Sequence, residues 1–496
     1  MNMKVSDSFH VKSIHRDAKL KSSRFKTGCL LFVRFSVLLI EHMFYNHIRT
    51  ADEEGTVMVV IDLFSGAGGL SEGFHRLGFR FAAKVEKDKW ACETLKTRMM
   101  YHFLKKQKDL DTYFSYLRSS ESHKDIDQNR EEVFKKYPDL KGLLEMVVLN
   151  RKFGNPNNDK DATSTTQIIE EITASLKKQD MTSVDLIIGG PPCQAYSLVG
   201  RGRMKKSADK DPRNYLFYYY LNVVNHFKPK VFVFENVPGI ISAKKGKVFE
   251  TIKEEFDRSG YYLLSGENED DLKNVLDFSD YGIPQRRKRV LLFGFQKKLN
   301  FKYPNFGKYK FAWKDDLTTK NVLYDLPALN PGEGNDYFYG DYSETHLTDF
   351  QRKMREDSIG VLNHKARLVR KLDREIYNMA IEKAAQGLQL RYDELPERLQ
   401  THKNRESFLD RFRVHRENEL PHTVVAHISK DGHYNIHPDP VQCRSLTVRE
   451  AARIQTFPDN YIFEGPRTHQ YVQVGNAVPP LMSEIIARSI KEMLDE

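Results

Sequence analysis

Residues 57–63, Val-Met-Val-Val-Ile-Asp-Leu, are nearly all apolar, and they run without a spacer into Phe64-Ser65-Gly66-Ala67-Gly68-Gly69-Leu70. A buried strand that ends in a glycine cluster and reopens as a helix leaves a chain few folds to choose from. Leu70, Phe74 and Leu77 then recur at the spacing of one buried helix face. Such a unit carries bare main-chain N–H groups to the carboxyl edge of a parallel sheet, where open α/β folds hold their ligands. The pattern recurs downstream. The apolar run 184–190 leads into Pro191-Pro192-Cys193-Gln194, and Phe232-Val233-Phe234 leads into Glu235-Asn236-Val237-Pro238-Gly239. Consecutive prolines set φ and deny a helix, so the chain leaves the sheet there as a stiff elbow.

A thiol and a carboxylate on one sheet edge point to covalent catalysis. A lone cysteine is more often a small buried hydrophobe, but the elbow and the matching carboxylate turn the reading towards a nucleophile. In the glycine cluster, Ser71 stands where the third glycine of a dinucleotide fingerprint belongs, which argues against a pyrophosphate cradle. Glu86 follows the apolar run 81–85 at the distance from which a carboxylate reaches ribose hydroxyls. The expected ligand is adenosine-like with its ribose recognised, and S-adenosylmethionine meets that description.

In chain order, six segments resemble motifs of the DNA (cytosine-5) methyltransferases of the bacterial restriction-modification type. They are residues 62–69, Gly190-Pro191-Pro192-Cys193-Gln194, Glu235-Asn236-Val237, Gln285-Arg286-Arg287-Lys288-Arg289, residues 444–458, and Gly475-Asn476-Ala477-Val478-Pro479-Pro480. The resemblance spans roughly residues 56–490. It implies a doubly wound, mostly parallel sheet with helices on both faces, the Rossmann-like fold of methyltransferases that use S-adenosylmethionine, with a smaller target-recognition domain across a cleft.

By that resemblance Cys193, as thiolate, adds to C6 of a cytosine so that C5 can accept a methyl group. A free thiol titrates near about 8.5, so it needs help from its surroundings. Glu235 hydrogen-bonds the N3 and N4 edge, and Arg287 and Arg289 go to the base or its backbone. The cofactor would rest on Phe64, Ser65, Gly66, Ala67, Gly68, Gly69 and Leu70, with Glu86, Asp161, Pro192, Leu216, Phe217, Asn476 and Val478 around it. Because C5 and C6 are inaccessible in a stacked duplex, the cytosine must be flipped out. Gln194, Ser197, Arg201 and Arg203 then belong to a basic loop closing over double-stranded DNA, and Gln285, Arg411 and Arg413 are further DNA-contacting candidates. Arg411 and Arg413 could equally meet phosphates or only water.

A net charge of +10 over 496 residues suits a polyanionic partner. The four cysteines, Cys29, Cys92, Cys193 and Cys443, have no paired metal-ligand spacing, so neither a metal site nor a disulfide framework is expected. Residues 29–45 are interrupted by Arg34 and Glu41, short of the roughly 20 apolar residues a membrane span needs. A cytoplasmic bacterial monomer is expected, with a restriction endonuclease as functional partner.

The expected organisation is an unassigned extension over 1–55, a catalytic domain over 56–300, a target-recognition domain over 301–443, and a return to the catalytic domain over 444–496. The extension reads as a packed helix, a DNA-contacting arm, or sequence ahead of a start at Met58. A charged stretch over 96–158, with an aromatic seam, reads as a solvated helical insertion on the sheet's rim. Residues 423–432 read as a strand and turn, and Thr447 with Glu450 as a capping box. Two other readings stay open: a transfer-RNA methyltransferase of the same fold, and a relative that binds DNA without chemistry.

Overall fold

The computed structural model describes residues 57–191, 216–264, 275–342, 346–401 and 406–495. Its main sheet contains β1 (Val59–Leu63), β2 (Arg80–Glu86), β3 (Val148–Asn150), β4 (Leu186–Gly189), β5 (Val231–Asn236), β6 (Tyr261–Leu264), β7 (Leu276–Asp277) and β8 (Lys288–Gln296). The strand order is β3-β2-β1-β4-β5-β8-β6, with β7 also paired to β8. Strands β3 to β5 run parallel, whereas β8 is antiparallel to β5. The chain winds outwards from β1 to β3, then returns to start again at β4. The β1/β4 boundary is therefore a topological switch point, the place where doubly wound sheets bind ligands.

The strands are apolar throughout because both faces are covered. On β1, Val59, Ile61 and Leu63 enter one core and Val60 the other. The Val60 core receives the Gly69–Arg76 and Pro480–Asp495 helices, and the core of Val59, Ile61 and Leu63 the Thr165–Lys178, Leu216–Phe227 and Lys247–Arg258 helices. The last helix presses on the first so closely that a Cβ at Gly73 would lie 2.2 Å from the Glu484 nitrogen.

The register aligns the chemistry-bearing turns. Leu63 pairs with Gly189, and Gly189 with Phe234. Phe64, Gly190 and Glu235 are therefore the next residues at one sheet edge.

The charged stretch after β2 is not a solvated outlier. The Lys89–Lys106, Leu110–Ser119, Ile126–Lys136 and Pro138–Val147 helices bury Tyr101, Leu104, Tyr113, Tyr116 and Leu117 together. That core also takes in Tyr337, Leu362 and Ile462. Tyr337 and Leu362 lie on an antiparallel hairpin, β9 (Gly334–Gly340) and β10 (Val361–Lys365). The aromatic seam is thus a packed junction, because its rings meet apolar partners from distant parts of the chain.

A separate small core gathers around the Lys371–Ala385 helix, with Leu390, Tyr392, Leu399, Phe412, Val414 and Ile436. Earlier residues of the 301–443 stretch, including Tyr303, Phe306, Val322 and Phe350, join the main core instead. Residues 423–432 do not form the expected strand. Val424 offers its N–H to Gln285 Oε1 at 3.4 Å and its carbonyl to Arg287 at 2.9 Å, so side chains take the place of a neighbouring strand. A short 3-10 turn at Ala426–Ser429 follows.

Thr447 and Glu450 do form the capping box of the Val448–Ile454 helix. The arginines of this segment are interior. Arg444 grips Glu450 through two nitrogens at 2.7 Å each. Arg449 donates to the carbonyls of Leu362, Pro458 and Tyr461. Arg453 bridges Asp325 and Asp459. The helix thereby ties the hairpin and Asp325 to the main domain.

Candidate active site

The glycine turn after β1 is built from left-handed backbone. Phe64, Gly66 and Gly68 have φ of 57°, 54° and 85°. Such angles are unfavourable for a side chain with a Cβ, so Phe64 is a strained residue at the sheet edge. A Cβ at Gly66 would meet nothing within 4 Å, which leaves open space over the turn. Glu86 closes one side of it. Its Oε2 accepts the Gly66 N–H at 2.9 Å, and its Oε1 accepts the N–H groups of Lys87 at 2.9 Å and Asp88 at 2.8 Å. Burial nevertheless raises the Glu86 pKa.

The far side of the turn is held by the carboxyl-terminal segments. Gly69 is compulsory there, since a Cβ would lie 2.2 Å from the Val478 carbonyl. The Tyr461 hydroxyl donates to the Ala67 carbonyl, and the Ser483 hydroxyl to that of Leu70. Val478 is thus brought to the glycine turn and is buried, while the neighbouring Asn476 is exposed.

Beneath the turn lies a charged pair that the sequence reading passed over. Asp62 on β1 faces Lys84 on β2, and both are buried. Ser71, at the position of the absent third glycine, donates to Asp62. Burial pushes the Asp62 carboxyl up to about 6 and the Lys84 ammonium down to about 8. Charged residues inside otherwise apolar strands were the available signal.

An apolar wall stands beside the turn. Phe64 packs on Phe153 with ring centres 5.2 Å apart, and Phe153 stacks on Tyr219 at 6.0 Å. Phe217 is buried in the core behind, and Leu216 is half-buried at the start of its helix. Asp161 is exposed in the turn after β3, its N–H donating to Asp159 Oδ1 at 3.1 Å. Phe153 and Tyr219 carry no shared signal in the sequence, because their loop and helix meet only in the folded chain.

At the next turn, Glu235 and Arg289 form an ion pair, Nε to Oε1 at 2.8 Å, with both side chains about seven-eighths buried at 13% and 12% exposure. A Cβ at Gly190 would stand 2.9 Å from Glu235 Oε2, so the glycine makes room for the carboxylate. Asn236 donates its amide to the Pro191 carbonyl at 3.0 Å. Cys193, Pro192, Gln194, Ser197, Arg201 and Arg203 lie outside the described residues.

The motif containing the two arginines divides its work. Arg289 reaches Glu235, but Arg287 does not. Arg287 is 1% exposed and donates to the carbonyls of Val424 and Ala477 at 2.9 Å and of Gly475 at 3.4 Å. Burial is the largest cause holding its pKa well below the usual arginine value. Gln285 is fully buried, with its amide on the Ile454 carbonyl at 2.9 Å and Gln455 Oε1 at 2.6 Å. The expectation that Gln285 contacts DNA gives way to an interior role, since a side chain with no exposed surface cannot reach a duplex.

Arg411 and Arg413 are half-buried and bonded to neighbouring groups. Arg411 bonds the carbonyls of Phe408 at 2.9 Å and Ser407 at 2.7 Å, and Arg413 the Tyr434 hydroxyl at 2.8 Å. Among the described residues, no group of His, Cys, Asp and Glu side chains could hold a metal ion, and no helix is long and apolar enough to cross a membrane.

The model of the C-5 cytosine-specific DNA methylase family matches residues 58–136 and 157–492. The chain is 64% identical over 442 residues to the Type II methyltransferase M.Bpa9945I of Bacillus paralicheniformis, which covers 88% of this chain and 99% of that protein. It is 30% identical over 449 residues to the Type II methyltransferase M.DdeI of Desulfomicrobium norvegicum, covering 87% and 88% respectively. A solved E. coli chain described as a prophage-encoded DNA modification methyltransferase shares the fold, with a TM-score of 0.56, 23% identity, and coverage of 88% of this chain and 100% of that one. With its ordered motifs gathered on one edge of a doubly wound sheet, the chain belongs to the C-5 cytosine-specific DNA methylases.

Proposed function

We propose that this DNA cytosine-5 methyltransferase acts on a flipped-out cytosine in a specific duplex sequence through a transient bond between Cys193 and C6. The observation that carries the reading is the Glu235–Arg289 pair, set against Gly190 and one residue from the Asn236–Pro191 tie. The chain that leaves Pro191 reaches Cys193 two residues later.

S-adenosylmethionine, held over Gly66 with Glu86 at its ribose and the Phe64–Phe153 wall at its adenine, would supply an electrophilic methyl group. The open space at Gly66 and the carboxylate beside it fit such a group. Cys193 Sγ forms a bond to C6, and the C5–C6 π pair moves to C5, making that carbon nucleophilic. Glu235 hydrogen-bonds the N3 edge and shares a proton with N3 as the ring gains electron density. Arg289, oriented by Glu235, stabilises charge developing on the ring oxygen. Loss of the C5 proton to a base then re-forms the double bond and expels the thiolate. A target sequence shared with a restriction endonuclease, a monomeric enzyme and a bacterial cytoplasmic setting complete the proposal.

Duplex DNA containing 5-fluorocytosine tests it. The fluorine cannot leave as a proton does, so the protein should become covalently attached to DNA through Cys193 when cofactor is present. Wild-type protein that methylates normal duplex yet never forms this adduct would refute the covalent route.

A further inference from the structure

Phe64 is not the only aromatic residue in left-handed backbone; Phe408 also has a φ of 57°. An outlier of this kind persists only where its surroundings over-determine it, and such residues cluster where function requires them. Phe408 is 67% exposed, the most exposed of the large aromatic side chains among the described residues. A strained backbone and a ring left in water are each unfavourable for folding alone.

The turn is nonetheless firmly held. Arg411 donates Nε to the Phe408 carbonyl at 2.9 Å and Nη2 to the Ser407 carbonyl at 2.7 Å, and its main-chain N–H meets the Phe408 carbonyl at 3.2 Å. The guanidinium lies over the buried Tyr392 ring at 3.9 Å. Arg411 is therefore engaged as the clamp of the turn, and the group the turn presents is the phenyl ring. The following residues lead back towards the catalytic edge. Val414 bridges to Ile436 and His422 to Arg286, beside Arg287 and Arg289.

Resting on the duplex-DNA reading above, we propose that Phe408 is a DNA-stacking residue, whose ring inserts at an opened base step or on an unstacked base while Arg411 only holds the turn. A protein partner would favour a contiguous apolar patch. The ring here is flanked by Glu406, Ser407, Asp410 and Arg411, with Leu409 packed inwards on the small core. A single ring amid polar residues suits the face of one base, and apolar wedges between base steps accompany DNA deformation.

The test uses full-length protein and a cognate duplex whose sequence is taken from bisulfite mapping of wild-type activity. Phe408→Gly removes the ring and relieves the backbone, so its thermal midpoint should equal or exceed that of wild type. Its affinity for the duplex should fall about tenfold or more, with KM for DNA rising in step and cofactor affinity unchanged. Phe408→Trp should retain binding. The salt dependence of DNA affinity should be unchanged in Phe408→Gly and in Arg411→Ala, because neither loses a phosphate contact. Undiminished DNA affinity in Phe408→Gly overturns the proposal, as does a shallower salt slope in Arg411→Ala. So does light scattering in which Phe408→Gly dissolves a wild-type dimer. Failure of the underlying functional reading would look different: wild-type protein would methylate no duplex at all.

Discussion

The Asn236 side-chain amide donates to the Pro191 main-chain carbonyl at 3.0 Å, so the strand bearing Glu235 also anchors the chain at Pro191. The same side chain accepts the Val237 N–H at 2.9 Å, which fixes the orientation of the amide. Glu235 and the Pro191 carbonyl are thereby referenced to one strand end.

Removing that tie should slow chemistry without loosening the cofactor. A buried hydrogen bond left half-made costs about 1–3 kcal/mol, so Asn236→Ala should lower the single-turnover methylation rate by roughly 5- to 150-fold. Asn236→Asp should not rescue it, since an ionised carboxylate cannot donate to a carbonyl. Cofactor affinity measured by calorimetry should stay near the wild-type value. An unaltered rate in Asn236→Ala would show that the turn holds its shape without the tie.

The glycine turn offers a paired comparison. At Gly69 an added Cβ meets the Val478 carbonyl at 2.2 Å, whereas at Gly66 it meets nothing within 4 Å. Gly69→Ala must push two backbones apart and should cost about 1–3 kcal/mol, read as a lower urea midpoint. Gly66→Ala carries only the left-handed backbone penalty of about 1–2 kcal/mol, yet its methyl group would stand in the proposed cofactor space. The expected pattern is a larger stability loss at 69 and a specific affinity loss at 66.

Arg453 should matter far more than any surface ion pair. It is fully buried between Asp325 and Asp459. Arg453→Met would strand carboxylates in the interior, at about 3–5 kcal/mol, and should lower the unfolding midpoint or prevent folding. Lys135→Ala breaks a pair whose partners are 68% and 73% exposed, and should leave the midpoint in place. Equal midpoints for both variants would contradict the assignment of the helix arginines as internal ties.

Acid should destabilise the fold through neutral buried histidines. Burial pushes His364 and His437 down to about 4 and His415 to about 3, from an ordinary value of 6.5. The unfolded chain takes up these protons near 6.5 while the folded chain does not. Stability from this source is therefore complete above about pH 6.5 and is lost as pH falls towards 4 and then 3. Each such histidine contributes about 1.4 kcal/mol per pH unit within its window. Urea midpoints should drop between pH 7 and 5, and His364→Gln should flatten the slope. A flat profile over that range would exclude the effect.

What residues reveal about their own neighbours was legible directly. The apolar runs, the glycine cluster, the proline elbow and the Thr447–Glu450 cap act over a few residues, and side-chain period and backbone freedom dictate them wherever the chain goes. The doubly wound sheet was implied by the family resemblance, and the strand register then set Phe64, Gly190 and Glu235 at one edge. Partners of long polar side chains were not legible, because nothing in the local pattern chooses among groups that packing brings together, those of Arg287 lying 137 and 190 residues away. Only the folded chain sends Arg289 to Glu235 but Arg287 to the carbonyls of Val424 and Ala477. Likewise it buries Gln285 against the end of the Val448–Ile454 helix and spends Arg411 on its own turn, leaving Phe408 outside. A guanidinium or an amide can satisfy its donors equally well on a carboxylate, a carbonyl or a phosphate. Local pattern alone says that such a group will bond; which partner it takes is decided by what packing brings within 3 Å of it.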